Sequence, residues 1–386
     1  MPQESWRAKS SMKIGIFTFH RAHNYGAMLQ AYALQEFLSS KGHDAEIVDY
    51  RPDYIENTYA VFPKLEYYKS KTLTENLWIW LHWPFYALMF PAKIFRRRVF
   101  EKFISEHFKL SGEFPACMKT AGYDATVFGS DQIWNFNISG LKPDKVYWGA
   151  EFIPAGTLKL SYAASAGAYT KRIAQTESLG ELLNGLDAIS VRENELAEQL
   201  RPLSKKPITT VLDPTLLVPP ALWEALAQDP REKEKYLLVY EVYHTRSTLA
   251  IARKLARELN LKIVRVWAGY RPENPLSTET QTSVQRFLGL VKNASCVVTT
   301  SFHAVVFSAV FKRDFYYVSD NNSSENRVVQ ILDVLGLSDR IAPSDKKPAF
   351  SSIDWDRQKL RSRLEREREN SEAFILRALE SQKKNP

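Results

Sequence analysis

Short apolar runs rich in β-branched and aromatic residues recur along this chain, each followed by a small polar loop and an amphipathic stretch, and that alternation leaves few folds open. Residues 13–19 form the first such run, Asn24-Tyr25-Gly26 punctuates it, and residues 27–38 continue with helical periodicity. Residues 43–50 read as a second strand closing a βαβ unit, and further runs fall at 125–128, 158–163 and 188–191. Strands alternating with helices predict a largely parallel sheet. The second half repeats the scheme, with strands at 236–240, 262–266, 296–300 and 315–318 and a helix near 247–259. The fold class is therefore α/β, in two domains, with the Pro-marked stretch 202–220 as their junction and a cleft between them as the place for a ligand.

The expected boundaries are a leader over 1–12, a first domain over 13–203 carrying an insertion at about 54–112, a second domain over 204–350 and a terminal helix over 351–386. Length agrees, since 386 residues suit two or three domains. The leader lacks the apolar core of a secretory signal, and only Cys117 and Cys296 are present, which suits a reducing compartment and a cytoplasmic protein. Lysine and arginine total 52 against 44 acidic residues, a net charge of +8 that fits an anionic partner without choosing among nucleic acid, phosphate ester and membrane surface. No nucleic-acid recognition motif accompanies the charge, so nucleic-acid binding is not expected.

Two segments depart from the alternation. Residues 77–92 hold Trp78, Trp80, Trp83, Phe85, Tyr86 and Phe90, broken by Pro84 and Pro91, and Lys93, Arg96, Arg97 and Arg98 follow at once. The stretch is short for a membrane span; it reads either as an aromatic subdomain with a solvated basic face or as a peripheral contact with anionic headgroups through 77–98. Residues 355–380 are highly charged with Leu360, Leu364, Phe374 and Ala378 near one helical face, the pattern of a terminal surface helix.

Three loops after strands can present backbone N–H groups or helix N-termini to an anion. In the first, Arg21 adds charge and Asn24 or Gly26 enters a turn, although Gly26 equally suits close packing. In the second, Ser130, Asp131 and Gln132 follow a strand directly, where Asp131 serves as a base or holds a hydroxyl, or else Ser130 and Asp131 cap a helix. In the third, Thr300 or Ser301 caps a helix carrying His303 in its first turn, either as a donor to an anionic ligand or as a satisfied buried histidine. Arg192 closes the strand at 188–191, where its forked donors match carboxylate and phosphate, unless Glu193 or Glu195 occupies it. Asn326-Arg327 opens a late helix and offers a further anion contact. The chain has no GxxxxGK[ST], GxGxxG, HExxH or GxSxG sequence, and only His20 and His23 lie close enough in sequence to suggest a shared metal, so no metal is expected.

Taken together, residues 24–35 (Asn-Tyr-Gly-Ala-Met-Leu-Gln-Ala-Tyr-Ala-Leu-Gln), Gly129-Ser130-Asp131-Gln132-Ile133-Trp134, Ser190-Val191-Arg192-Glu193, Leu212-Asp213-Pro214-Thr215, Ser301-Phe302-His303 and Asn326-Arg327 resemble the polysaccharide pyruvyl transferase family over nearly the whole chain. The resemblance implies two Rossmann-like domains facing a cleft in the glycosyltransferase-B manner. It implies phosphoenolpyruvate as donor and no cofactor. The acceptor would be a sugar of a surface glycan or lipid-linked oligosaccharide, and the product a pyruvate ketal. The family's donor-contacting arginine and histidine carry over to Arg192 and His303. Many relatives have a second arginine two positions before the histidine, where this chain has Ser301. The expected site is thus His303 and Asp131 for catalysis, Arg192, Ser301, Arg327, Asn326 and Arg21 for the donor, and Asn24, Gly26, Ser130 and Gln132 for the acceptor or loops. A glycosyltransferase using a nucleotide-activated sugar, or a non-catalytic glycan-binding relative, is the alternative.

Overall fold

The computed structural model describes residues 11–61, 83–230, 232–243, 245–267, 282–319, 326–344, 347–356 and 358–381. The leader at 1–10 and residues 77–82 of the aromatic segment lie outside them. Among the described residues the chain forms two parallel sheets. The first holds β1 (Lys13–Phe17), β2 (Asp44–Asp49), β3 (Leu110–Glu113), β4 (Ala125–Asp131), β5 (Leu158–Ala164), β6 (Ala188–Val191) and β7 (Ile208–Thr210), in the order β3-β2-β1-β4-β5-β6-β7. The second holds β8 (Tyr236–Glu241), β9 (Lys262–Trp267), β10 (Cys296–Thr299), β11 (Asp314–Ser319) and β12 (Ile341–Pro343), in the order β12-β11-β10-β8-β9.

These are Rossmann-like sheets, and their central strands are buried along their length because helices cover both faces; all seven residues of β4 are buried. The order reverses beside β1 and β4 in the first sheet and beside β8 and β10 in the second. At such points the connections leave in opposite directions and the carboxyl ends of the strands open a crevice. Strands β3, β7 and β12, three or four residues each, carry too few alternations to stand out in the sequence. Because β7 pairs with β6, the first sheet runs past the boundary expected at 203/204, and the crossing falls later in the Pro-marked stretch.

One hydrophobic cluster runs through both domains, beside a separate cluster in each. Helix α1 (Tyr25–Ser40) is buried on most of its surface, since its N-terminal turn enters the second domain. Tyr25 stacks on Phe287 with ring centroids 4.5 Å apart, and its hydroxyl donates to the carbonyl of Thr282 at 3.1 Å. The terminal helix α2 (Gln358–Ser381) is more than a surface helix. Its Ile375, Ala378 and Leu379 are buried, its Ser371 hydroxyl accepts from Leu212 N at 2.9 Å, and Arg368 Nε donates to the carbonyl of Leu216 at 2.8 Å. It thus staples the interdomain stretch.

In the insertion, the long helix Trp83–His107 divides the basic cluster. Arg96 is turned inward and 1% exposed, its guanidinium over the rings of Tyr25 and Phe100 and its Nη2 donating to the carbonyl of His23. Arg97 and Arg98 are exposed. The uniformly solvated basic face is therefore corrected: a guanidinium flanked by aromatic faces and a carbonyl is more stable buried than its neighbours would be. No described helix is long and apolar enough to cross a membrane.

Candidate functional site

The carboxyl ends of both sheets converge on Arg192. Its backbone N–H continues the ladder by donating to the carbonyl of Ala164 at 3.0 Å, and its side chain, 3% exposed, turns into the interior. Nη2 donates to the Ser130 hydroxyl at the end of β4 and lies 2.8 Å from Asp213 Oδ2. Among the described residues Nε and Nη1 have no hydrogen-bond partner. Asp213 is fixed by the local sequence: Pro214 opens a single turn, and Asp213 Oδ1 caps it by accepting from Thr215 N at 3.0 Å and Thr215 Oγ1 at 2.6 Å. Oδ2 is left to face Arg192 and, at 3.6 Å, Nε2 of His303. Burial opposes the charged carboxylate, but Arg192, His303 and Thr215 outweigh it and hold its pKa well below the usual range.

His303 comes from the second domain. After β10, Ser301 caps helix α3 (Phe302–Val310) by accepting from Ala304 N at 3.3 Å, which puts His303 in the first turn as the sequence implied. Its imidazole, 8% exposed as a residue, packs on Gly26 of α1, where an added Cβ would lie 2.0 Å from Nδ1. Gly26 therefore permits close packing, and the group it admits is a site histidine. Nε2 has no hydrogen-bond partner among the described residues; at 3.6 Å it lies just beyond hydrogen-bond reach of Asp213 Oδ2.

Ser130 and Asp131 cap no helix, because β4 is followed by turns. Asp131 sits at φ 75°, a left-handed conformation that costs a non-glycine residue about 1–3 kcal/mol and is commonest where function demands it. Its N–H donates to Ser130 Oγ at 2.6 Å and its carbonyl accepts from Ser165 N at 2.9 Å. Gln132 turns away, its Oε1 accepting from Asn135 Nδ2 at 2.8 Å against Gly167.

The start of helix α4 (Asn326–Leu335) latches onto the residues after β6. Gln330 donates to the carbonyl of Arg192 at 3.0 Å and accepts from Asn194 N at 2.8 Å, and Asn326 donates to Glu195. Arg327 Nε lies 3.7 Å from the carboxylate of Glu193, which is 2% exposed and also accepts from the Ser165 hydroxyl. Burial pushes the Glu193 carboxyl up against the opposing pull of Arg327 and Arg192, and it lowers Arg327 with help from Arg192.

Four expected site residues are otherwise engaged. Arg21 spends its guanidinium on Asp49, through Nε at 2.9 Å and Nη2 at 2.7 Å, and on Glu101 at 3.1 Å. Asn24 caps α1 by accepting from Gly26 N at 2.9 Å, Ser301 caps α3, and Asn326 is held by Glu195. Asp49 also binds His20 Nε2 at 2.9 Å, whereas His23 stacks on Phe100, so the two histidines form no metal pair. Asp213, quoted above only as part of a motif, holds Arg192, and Glu193, considered above as a partner of Arg192, lies instead against Arg327. The aspartate was legible as a cap before Pro214, but its charge partners come from elsewhere in the chain.

Fold and site together define a two-domain α/β protein whose interdomain junction gathers Arg192, Arg327 and His303 with the carboxylates of Asp213 and Glu193. The profile of the family described as polysaccharide pyruvyl transferase matches residues 24–322, and the chain belongs to that family. It is accordingly a transferase of the kind that serves polysaccharide pyruvylation. No curated protein matches it. Similar solved structures include a putative UDP-N-acetylglucosamine 2-epimerase from Listeria monocytogenes, at 11% identity and TM-score 0.45 over 86% of this chain and 90% of that one. Arabidopsis thaliana UGT89C1 is similar at 11% identity and TM-score 0.44 over 96% and 98%, and S. aureus MnaA with UDP at 13% and 0.43 over 83% and 82%.

Proposed function

We propose that the protein transfers the pyruvyl group of phosphoenolpyruvate to two hydroxyls of a glycan sugar, forming a ketal and releasing phosphate. The observation that carries this reading is Arg192, a buried guanidinium with two nitrogens, Nε and Nη1, unpaired among the described residues, at the carboxyl end of β6 and beside His303 of the other domain. Buried donors without acceptors are costly, and an anionic ligand supplies what they lack.

The chemistry assigns roles. Phosphoenolpyruvate carries a phosphate and a carboxylate, and Arg192 grips one of them in the forked geometry that lysine cannot reproduce. In this reading His303, whose Nε2 lies 3.6 Å from Asp213 Oδ2, delivers a proton to the methylene, which makes C2 electrophilic. One sugar hydroxyl adds to C2; the C2–O bond to phosphate breaks; a second hydroxyl forms the second C–O bond. Of the two hydroxyl protons, one balances that gained by the new methyl and the other leaves on hydrogen phosphate. Asp131, held at the end of β4, orients or deprotonates an acceptor hydroxyl. The acceptor belongs to a surface glycan or its lipid-linked precursor.

Thermal unfolding with and without phosphoenolpyruvate tests the reading, because a ligand at about 100 times its dissociation constant adds about 2.7 kcal/mol. Stabilisation of the wild type that disappears in Arg192→Ala supports it. Stabilisation by UDP and none by phosphoenolpyruvate would replace it with transfer from a nucleotide-activated sugar.

A further inference from the structure

We infer that the donor site of this chain is a two-arginine clamp built around Phe302, in which Arg327 supplies the cation missing at Ser301 and each arginine takes one anionic end of the ligand. The inference rests on the donor reading above and assigns a division of labour within it. Phe302 is shared by the two cations: the Arg192 guanidinium carbon is 5.3 Å from its ring centroid and that of Arg327 is 5.7 Å away. An aromatic face attracts a guanidinium within about 6 Å, so one ring holds two like charges near each other.

Two cations so placed repel, and each has its own carboxylate on the side of the protein: Asp213 for Arg192 at 2.8 Å, Glu193 for Arg327 at 3.7 Å. Neither carboxylate exhausts its arginine. Nε and Nη1 of Arg192 and Nε of Arg327 are buried without a hydrogen-bond partner among the described residues. A single ligand with two separated anionic groups satisfies both sets of donors and relieves the repulsion, whereas a monoanion satisfies one. Position 301 cannot contribute in this way, because its hydroxyl is the cap of α3. The second guanidinium instead reaches the site from α4, whose first turns are latched to residues 192–195 by Asn326 and Gln330. The clamp is therefore complete only with the two domains docked.

Phosphoenolpyruvate, inorganic phosphate and pyruvate, titrated calorimetrically, the two fragments also in competition with phosphoenolpyruvate, form the test. Arg327→Lys keeps the charge against Glu193 but loses the fork, and is expected to weaken phosphoenolpyruvate roughly 10- to 100-fold, the range of a charge-assisted hydrogen bond. Arg192→Lys weakens one fragment selectively and Arg327→Lys the other. Phe302→Leu weakens phosphoenolpyruvate by about tenfold and Phe302→Tyr, which keeps the ring, restores it. Unliganded melting temperatures identify any variant that has lost its fold, and Arg327→Ala combined with Glu193→Gln, which removes the charge pair together, then replaces it. Wild-type binding abolished by Arg192→Ala but unchanged by Arg327→Lys and by the double variant overturns the clamp while leaving the donor reading intact. Both arginine variants weakening the same fragment overturns the division of labour. A wild type that binds no phosphoenolpyruvate overturns the donor reading itself.

Discussion

Gly26 and His303, on facing domains, pack so closely that a Cβ at position 26 would lie 2.0 Å from the imidazole Nδ1. Gly26→Ala therefore has to push His303 away from Asp213 or part α1 from α3. Overpacking of this kind costs about 1–3 kcal/mol. A lowered melting temperature together with weakened donor binding is expected; an alanine variant that melts and binds as wild type would show that the contact yields freely.

Asp213 is the shared counter-charge of Arg192 and His303. Asp213→Asn leaves a buried guanidinium without its carboxylate, a loss of about 3–5 kcal/mol by analogy with other broken buried pairs. The pH dependence has a definite sign. Because the folded-state pKa is depressed, the stabilisation is whole above the ordinary value of 3.8 and declines as pH falls below it toward the folded value. Chemical denaturation from neutral pH downward is expected to show that acid loss in the wild type and a flatter profile in the asparagine variant.

His23 works in the opposite sense to a histidine that gains a partner. Burial, then Arg96, Arg97 and Arg21, lowers its pKa from 6.5 to about 3, so the folded protein holds it neutral. As pH falls below 6.5 the unfolded chain takes up the proton first, and stability drops until about pH 3. His23→Phe retains the stack on Phe100, whose centroid is 5.2 Å away, and is expected to remove this part of the pH slope. Melting temperatures measured between pH 7 and 4 decide it; equal slopes in both proteins count against the assignment.

The inward Arg96 and outward Arg97 and Arg98 separate packing from surface charge. If the protein approaches anionic membranes through this helix, Arg97→Gln with Arg98→Gln should weaken flotation with phosphatidylserine vesicles by about 1 kcal/mol per residue without lowering the melting temperature. Arg96→Gln should lower the melting temperature. Wild-type protein that fails to float removes the membrane contact from the reading.

The strands that build the cleft were legible because each is an apolar run ended by a small polar loop, and β1, β4, β6, β8 and β10 fall where those runs lie. Strands β3, β7 and β12 were not, because Leu-Ser-Gly-Glu, Ile-Thr-Thr and Ile-Ala-Pro are not apolar runs. At the site, Arg192 and His303 announced themselves by standing at a strand end and in a capped first turn. Arg21 looked equally suitable and is spent on Asp49, because a lone charge in a loop gives no sign in the sequence of where its partners fold. Phe302 entered only as the middle of the Ser301-Phe302-His303 motif, and nothing local marks it as the neighbour of two guanidiniums.

The sequence by itself determined the alternation of strand and helix, the turn at Asn24 or Gly26, a cap from Thr300 or Ser301, and the set of motifs that place the chain in its family, since all of these depend on residues a few positions apart. The tertiary structure alone decided which charges meet. Arg192, Asp213, His303 and Arg327 come from separated stretches of chain, and their pairing follows from the burial of α1 and α4 across the domain junction, where low polarity makes each unpaired donor expensive and each carboxylate partner specific.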